Sequence, residues 1–161
     1  MASIYRMKRS EDTEQIQVIQ WARLREGRYP ELEWLCHIPN GGSRNKAEAV
    51  KLKQMGVKPG IPDLFLPVAN GPYHGLFIEM KYGKNTLQDS QRQCLRFLLA
   101  AGYHATVCYS AEITTSVIEN YIKMAHLKDK DCRKSADFIS GINGKILKPA
   151  KAAGVLELKD I

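Results

Sequence analysis

No apolar run in this chain approaches the roughly 20 residues that a membrane-spanning helix needs. The opening segment, MASIYRMKR, has no hydrophobic stretch of the kind that directs export. An unexported protein with no membrane partner, working inside the cell, is expected. The four cysteines, Cys36, Cys94, Cys108 and Cys132, form no C-x-x-C pair and no metal-ligand spacing with the four histidines, which argues against a zinc site. Cys94 and Cys108 sit in apolar runs, where a reduced thiol behaves as a small hydrophobe, so no disulfide framework is needed. Internal repeats and low-complexity tracts are also missing. Acidic residues are in the minority: 17 Asp and Glu against 24 Lys and Arg leave a net charge of +7, a balance that favours a polyanionic partner. The excess is clustered, since Arg44, Lys46, Lys51, Lys53 and Lys58 face only Glu48 in their stretch. Such a cluster fits a nucleic-acid contact or, equally, a solvated helix face.

What is present is an ordinary globular composition, 44% hydrophobic and 25% charged over 161 residues, enough for one domain with a real core. The pattern places that domain at residues 1–126 and a charged, mixed C-terminal extension at 127–161. A first helix is expected from Thr13 to about Glu26, with Ile16, Val18, Ile19 and Ala22 recurring at helical spacing behind cap-type residues at Ser10 to Asp12. The apolar run Trp34 to Ile38 reads as a strand stopped by Pro39, and a basic helix follows from about Asn45 to Met55, closed by Gly56. Asp63 to Val68 and Gly75 to Tyr82 read as the two strands of a hairpin. Thr86 and Asp89 resemble a capping box for a helix carrying Leu87, Cys94, Leu95 and Leu98. Tyr103 to Tyr109 is a further strand, and Ser110 caps a last helix with Ile113, Val117, Tyr121 and Met124 facing inward. Asn143-Gly144 suits a hairpin turn in the extension. The order of elements is that of an α/β fold with a small mixed sheet.

The chemistry-bearing feature is an acid at the start of one strand and Glu-x-Lys near the end of the next. A strand puts residues i and i+2 on one face, so Glu79 and Lys81 point the same way, and hairpin pairing brings Asp63 beside them. Two carboxylates and the Met80 main-chain carbonyl offer hard oxygens to Mg²⁺, and Lys81 offers a cation to a phosphate. A lysine beside two carboxylates stays protonated, so its expected role is electrostatic. Glu-x-Lys is also common on half-buried strands, where both residues simply face solvent. Gln91 shares the sheet-facing side of its helix with Leu87 and Leu95, so its amide makes either a buried structural bond or a contact at the site edge. Glu14, one turn before Val18, is either a further carboxylate for the site or an acid favoured by the helix dipole. Asn40, Ser43 and Arg44 surround a glycine loop at the start of the basic helix, a phosphate-binding loop or a plain connection. The histidines, His37 and His74 included, receive no catalytic role.

The ordered string Ile38-Pro39-Asn40-Gly41-Gly42, Gly56-Val57-Lys58-Pro59-Gly60-Ile61-Pro62-Asp63-Leu64 and Gly75-Leu76-Phe77-Ile78-Glu79-Met80-Lys81 resembles the virus-type replication-repair nuclease (VRR-NUC) family. The similarity runs on through Gln91, Gly102-Tyr103 and the last helix, over about residues 11 to 125. It implies a restriction-endonuclease-like PD-(D/E)xK core, a central mixed sheet flanked by helices, and Mg²⁺- or Mn²⁺-dependent DNA cleavage. On this resemblance Asp63 and Glu79 are the metal carboxylates, Lys81 the lysine, Gln91 the helical glutamine and Glu14 the first-helix glutamate. Asn40, Ser43, Arg44, Lys46, Lys51 and Lys53 are then the expected DNA contacts. Small stand-alone members of phage or prophage type further imply a homodimer acting on branched DNA such as four-way junctions, in bacterial or phage-infected cytoplasm. A non-catalytic DNA-binding module on the same fold is the rival, as is a nuclease acting on DNA ends or RNA.

Overall fold

A computed structural model describes residues 9–39 and 46–124. The first helix, α1 (Glu11–Arg25), begins where the sequence first offers a cap. Ser10 takes an extended backbone, its hydroxyl accepts from the Thr13 N–H at 3.2 Å, and the Thr13 hydroxyl accepts from the Ser10 N–H at 2.7 Å. Acids fill the first turn and arginines the last, each complementing the helix dipole. The buried line of α1 is Glu14, Val18 and Ala22; Ile16, expected inside, is 45% exposed. A 3₁₀ turn over Pro30–Trp34 follows and takes Trp34 out of the expected strand, leaving β1 as Cys36–His37. Proline at the start of that turn fixes the helical φ.

Helix α2 (Lys46–Gln54) ends as the glycine predicts. Gly56 has φ +94°, its N–H donates to the Lys53 carbonyl at 3.1 Å, and the Val57 N–H donates to Leu52 at 3.0 Å. Strands β2 (Leu64–Leu66) and β3 (Leu76–Met80) pair antiparallel, and β4 (His104–Cys108) lies parallel to β3 beyond helix α3 (Asp89–Ala100). Helix α4 (Ala111–Met124) completes the set, and the sheet order is β1-β2-β3-β4. A parallel neighbour requires a crossover, which α3 supplies.

Strands β2, β3 and β4 split their side chains between two apolar faces of the sheet. Leu64, Leu66, Leu76, Ile78 and Met80 pack with Val18 and Ala22 of α1 and with Ile118, Tyr121 and Ile122 of α4. On the other face Phe77, Ala105 and Val107 pack under Leu95 and Leu98 of α3, with Leu87 beside them. Phe65 belongs to this second face, its ring stacked on Phe77 at 4.2 Å between centroids. The alternation that puts Phe77 there carries Glu79 and Lys81 to the same side, toward α3. In α4 the fully buried line runs through Thr114, Ile118, Tyr121 and Ile122, with Ile113 and Val117 only partly covered. Tyr121 and Met124 of the expected stripe are buried, whereas Thr114 and Ile118 take the buried places expected for Ile113 and Val117. Helix α3 starts at the N-cap Gln88 rather than at Thr86, and the Gln88 N–H donates to the Gln91 side-chain oxygen at 2.9 Å. The expected turn at Asn143-Gly144 and the boundary at 126 lie outside the described residues.

Candidate active site

Asp63 stands immediately before β2. The register pairs Leu64 with Ile78, so one further step sets Asp63 opposite Glu79. Its Oδ2 accepts from the Met80 N–H at 2.7 Å, and its carbonyl accepts from the Ile38 N–H at 2.8 Å and lies 2.9 Å from His37 Nδ1. The acid is thereby fixed from both neighbouring strands. Gly60 explains how the loop reaches this position: its φ is +86°, and a Cβ there would lie 2.4 Å from the Ser90 carbonyl oxygen and 2.9 Å from the Gln91 nitrogen. Only a glycine lets the segment before Asp63 pass against the first turn of α3.

Glu79 is 1% exposed. Its Oε1 accepts from Lys81 Nζ at 2.8 Å and from Gln91 Nε2, while the amide oxygen of Gln91 is held by the Gln88 N–H. Both ends of the Gln91 amide are used, so the two alternatives for this residue merge: it is a helix-capping residue that also touches the candidate site. Glu79 Oε2 is buried and has no hydrogen-bond partner among the described residues. An orphaned carboxylate oxygen is costly unless something positive meets it.

Burial, followed by the Asp63 charge, pushes the Glu79 carboxyl up to about 7 despite Lys81. Burial likewise raises Asp63, opposed by the Met80 N–H and by Lys81 and His37, and reinforced by Glu11. For Lys81, burial pulls the ammonium down, but the hydrogen bond and charge of Glu79, with Glu11 and Asp63, outweigh it and leave the group above its ordinary value. Lys81 is therefore a cation at neutral pH, and the acids around it carry more negative charge than one lysine balances. This deficit, the orphaned Oε2 and the hard-oxygen donor set fit a divalent cation such as Mg²⁺ or Mn²⁺. Among the described residues no three Asp, Glu, His or Cys side chains converge on one point. Were such an ion bound, the Asp63–Glu79 pair and a backbone oxygen such as that of Met80 would be the protein's share, with water filling the other positions.

Glu14 does not join the pair. Its Oε1 accepts from Arg9 Nε at 2.7 Å and its Oε2 from the Ala111 N–H at 2.8 Å, so it caps α4 from the buried side of α1. The Arg9 hydrogen bond holds its carboxyl below the usual range against the cost of burial. The first-helix acid whose charge reaches Asp63, Glu79 and Lys81 is Glu11, one turn earlier, which accepts from Asn85 Nδ2 at 2.6 Å.

The family model of the VRR-NUC domain matches residues 2–112. The chain belongs to the VRR-NUC family. A solved structure described as a VRR_NUC domain protein is 34% identical to it, with a TM-score of 0.64, over 76% of this chain and 95% of that one. No curated protein matches it. The fold is accordingly the α/β fold of a VRR-NUC domain, a nuclease-type domain with a mixed four-stranded sheet between helices.

In this VRR-NUC domain the expected DNA contacts are only partly placed. Asn40, Ser43 and Arg44 lie outside the described residues, and Lys46 opens α2. Lys51 and Lys53 are exposed, and of residues 48–54 only Leu52 is partly covered. Sequence reasoning placed the first-helix glutamate at Glu14, with Glu11 only its neighbour, and gave His37 no role. The signal for Glu11 was its spacing of three from Glu14, which puts both on the flank of α1 that meets the sheet. For His37 no local pattern marks its bond to the Asp63 backbone. No helix among the described residues is long and apolar enough to cross a membrane.

Proposed function

We propose that this VRR-NUC chain is a divalent-metal-dependent DNA endonuclease acting on branched DNA such as four-way junctions, as a homodimer inside the cell. The observation that carries the reading is the unequal use of the two Glu79 oxygens. Oε1 is turned to Lys81 and Gln91, whereas Oε2 is buried, without a partner among the described residues, and within the field of Asp63. Asp63, Glu79 and the Met80 carbonyl would hold Mg²⁺ or Mn²⁺, with Glu11 rather than Glu14 as the outlying carboxylate. When bound, such a cation neutralises phosphate charge and makes water a stronger nucleophile. Lys81, protonated and buried, sets a positive charge beside the phosphate, and its charge does not have to be reorganised as the oxyanion develops. Gln91 keeps Glu79 from rotating, because its own oxygen is tied to α3. The exposed Lys51 and Lys53, with Lys46, Asn40, Ser43 and Arg44, would hold the DNA backbone. A two-fold dimer presents two such sites to a junction of approximate two-fold symmetry.

The test is cleavage of a labelled four-way junction, a matching linear duplex and closed circular plasmid in Mg²⁺ or Mn²⁺ against EDTA, with Asp63→Ala and Lys81→Ala as controls. Metal-dependent junction cutting, lost in both folded variants, is expected. Equal cutting of all three substrates would discard the junction, and full activity in either variant would discard the site. Binding without cutting would leave a DNA-binding module. Light scattering of the same sample reads the dimer.

A further inference from the structure

Two residues outside the acid cluster have chemistry that the proposed reaction has not yet used. Lys81 continues β3 beside Tyr109, which continues β4: the last paired residues are Met80 and Cys108, and the Lys81 N–H donates to the Cys108 carbonyl at 2.8 Å. Alternation puts Tyr109 on the α3 side with Ala105 and Val107, where its ring is half-buried in the same apolar cluster. From α3, Arg92 follows Gln91 and is also half-buried. Its Nη1 donates to the Leu87 carbonyl at 2.7 Å, and among the described residues no carboxylate pairs with it. The charges of Lys81 and Arg92 both act on the Tyr109 hydroxyl. Lys81 and Tyr109 are thus neighbours across the β3–β4 edge, Arg92 follows the Gln91 that donates to Glu79, and the charge of Glu11 acts on Tyr109 as well.

We infer that Arg92 and Tyr109 form, beside Lys81, a subsite for a nucleic-acid backbone phosphate adjoining the one that is cut. This rests on the reading that DNA occupies this site. A guanidinium anchored by a neutral carbonyl keeps its full charge and its remaining donors, and is already oriented before an anion arrives. The phenol adds a neutral donor at the same place. Neither residue holds the cation or touches the reacting atoms, so their contribution is to position the strand.

Binding of a fluorescein-labelled duplex is followed by anisotropy across a salt series in Mg²⁺. The full chain carries Asp63→Asn to preserve the probe, alone or with Arg92→Gln, Arg92→Lys or Tyr109→Phe. Arg92→Gln should weaken binding about tenfold and reduce the slope of log K against log salt by about one. Arg92→Lys should restore most of the slope, and Tyr109→Phe should weaken binding several-fold without changing it. A merely structural arginine would leave the slope alone. Equal slopes for the parent and Arg92→Gln, together with unchanged binding by Tyr109→Phe, would overturn the subsite, as would a parent that binds no DNA. Cleavage by the chain without Asp63→Asn, run in parallel, separates the two ideas. Cutting with unaffected variant binding sinks only the subsite, and variant losses without any cutting sink only the nuclease.

Discussion

Glu79 depends on a residue that is easy to pass over. The Gln91 amide is fixed at its oxygen by the Gln88 N–H and donates its nitrogen to Glu79 Oε1, so the carboxylate is oriented by a helix cap. Gln91→Ala should leave the core under Leu95 intact and free Glu79 to rotate. Cleavage should fall about 10–100-fold, the usual size of a lost outer partner, with little change in melting temperature. A variant with full activity would show that the bond orients nothing. Gly60 acts from the other side. Gly60→Ala must move φ from +86° and push a methyl group into the Ser90 carbonyl, which should cost about 1–3 kcal/mol and displace Asp63, read as a lower melting temperature with lost cleavage. Period-two alternation put Glu79 and Lys81 on one face and hairpin pairing brought Asp63 beside them, whereas their reading as an active-site triplet came from the family resemblance. Gln91 was legible as a polar residue on a packed face, but the partner that satisfies it lies 12 residues away on another element.

At the level of elements, the sequence marks the ends of helices better than their faces. Gly56 and Gly102 sit at the left-handed positions that close α2 and α3, with φ of +94° and +83°, because few other residues adopt that conformation without strain. In the first half of α4 the inward line was read one position off, at Ile113 and Val117 in place of Thr114 and Ile118, since Thr114 is buried by donating to Met80 Sδ and the Ser110 carbonyl rather than by being apolar, whereas Tyr121 and Met124 are buried as expected. Hydrophobicity alone cannot see a polar residue whose partner is in the fold. Glu14 is the same case with larger consequences. It looked like a ligand because it is an acid on the packed side of α1, whereas it joins α1 to α4 through the Ala111 N–H. Glu14→Ala should therefore cost about 1–3 kcal/mol for the unmet donor, measured by urea denaturation. The metal-dependent cleavage rate per folded molecule should be retained. Loss of cleavage with undiminished stability would return Glu14 to the metal site.

Across the whole molecule, two buried groups oppose each other as the pH falls. Burial lowers the His104 imidazole from 6.5 to about 4. The ring lies on β4 against Tyr73 and Tyr121, at 5.0 and 6.1 Å between centroids, with Nδ1 unpartnered among the described residues. Between those pH values the unfolded chain takes up a proton that the fold refuses, so stability declines as pH drops from 6.5 and levels off below 4. At 1.36 kcal/mol per unit the full loss is on the order of 3 kcal/mol. Glu79, raised from 4.5 to about 7, has the reverse sign: the fold binds its proton first, so acidification through that window relieves a buried charge. The wild-type profile is the sum of the two and shows neither alone. A difference between variants isolates the histidine term. His104→Leu removes it and leaves Glu79 untouched, so the stability of the variant relative to the wild type should rise steadily from pH 7 to pH 4, measured by denaturant midpoints without divalent ions. A flat difference would mean that water or an unrecognised acceptor already lets His104 carry its proton inside the fold. In that event the face of the sheet behind the active site is wetter than its packing implies.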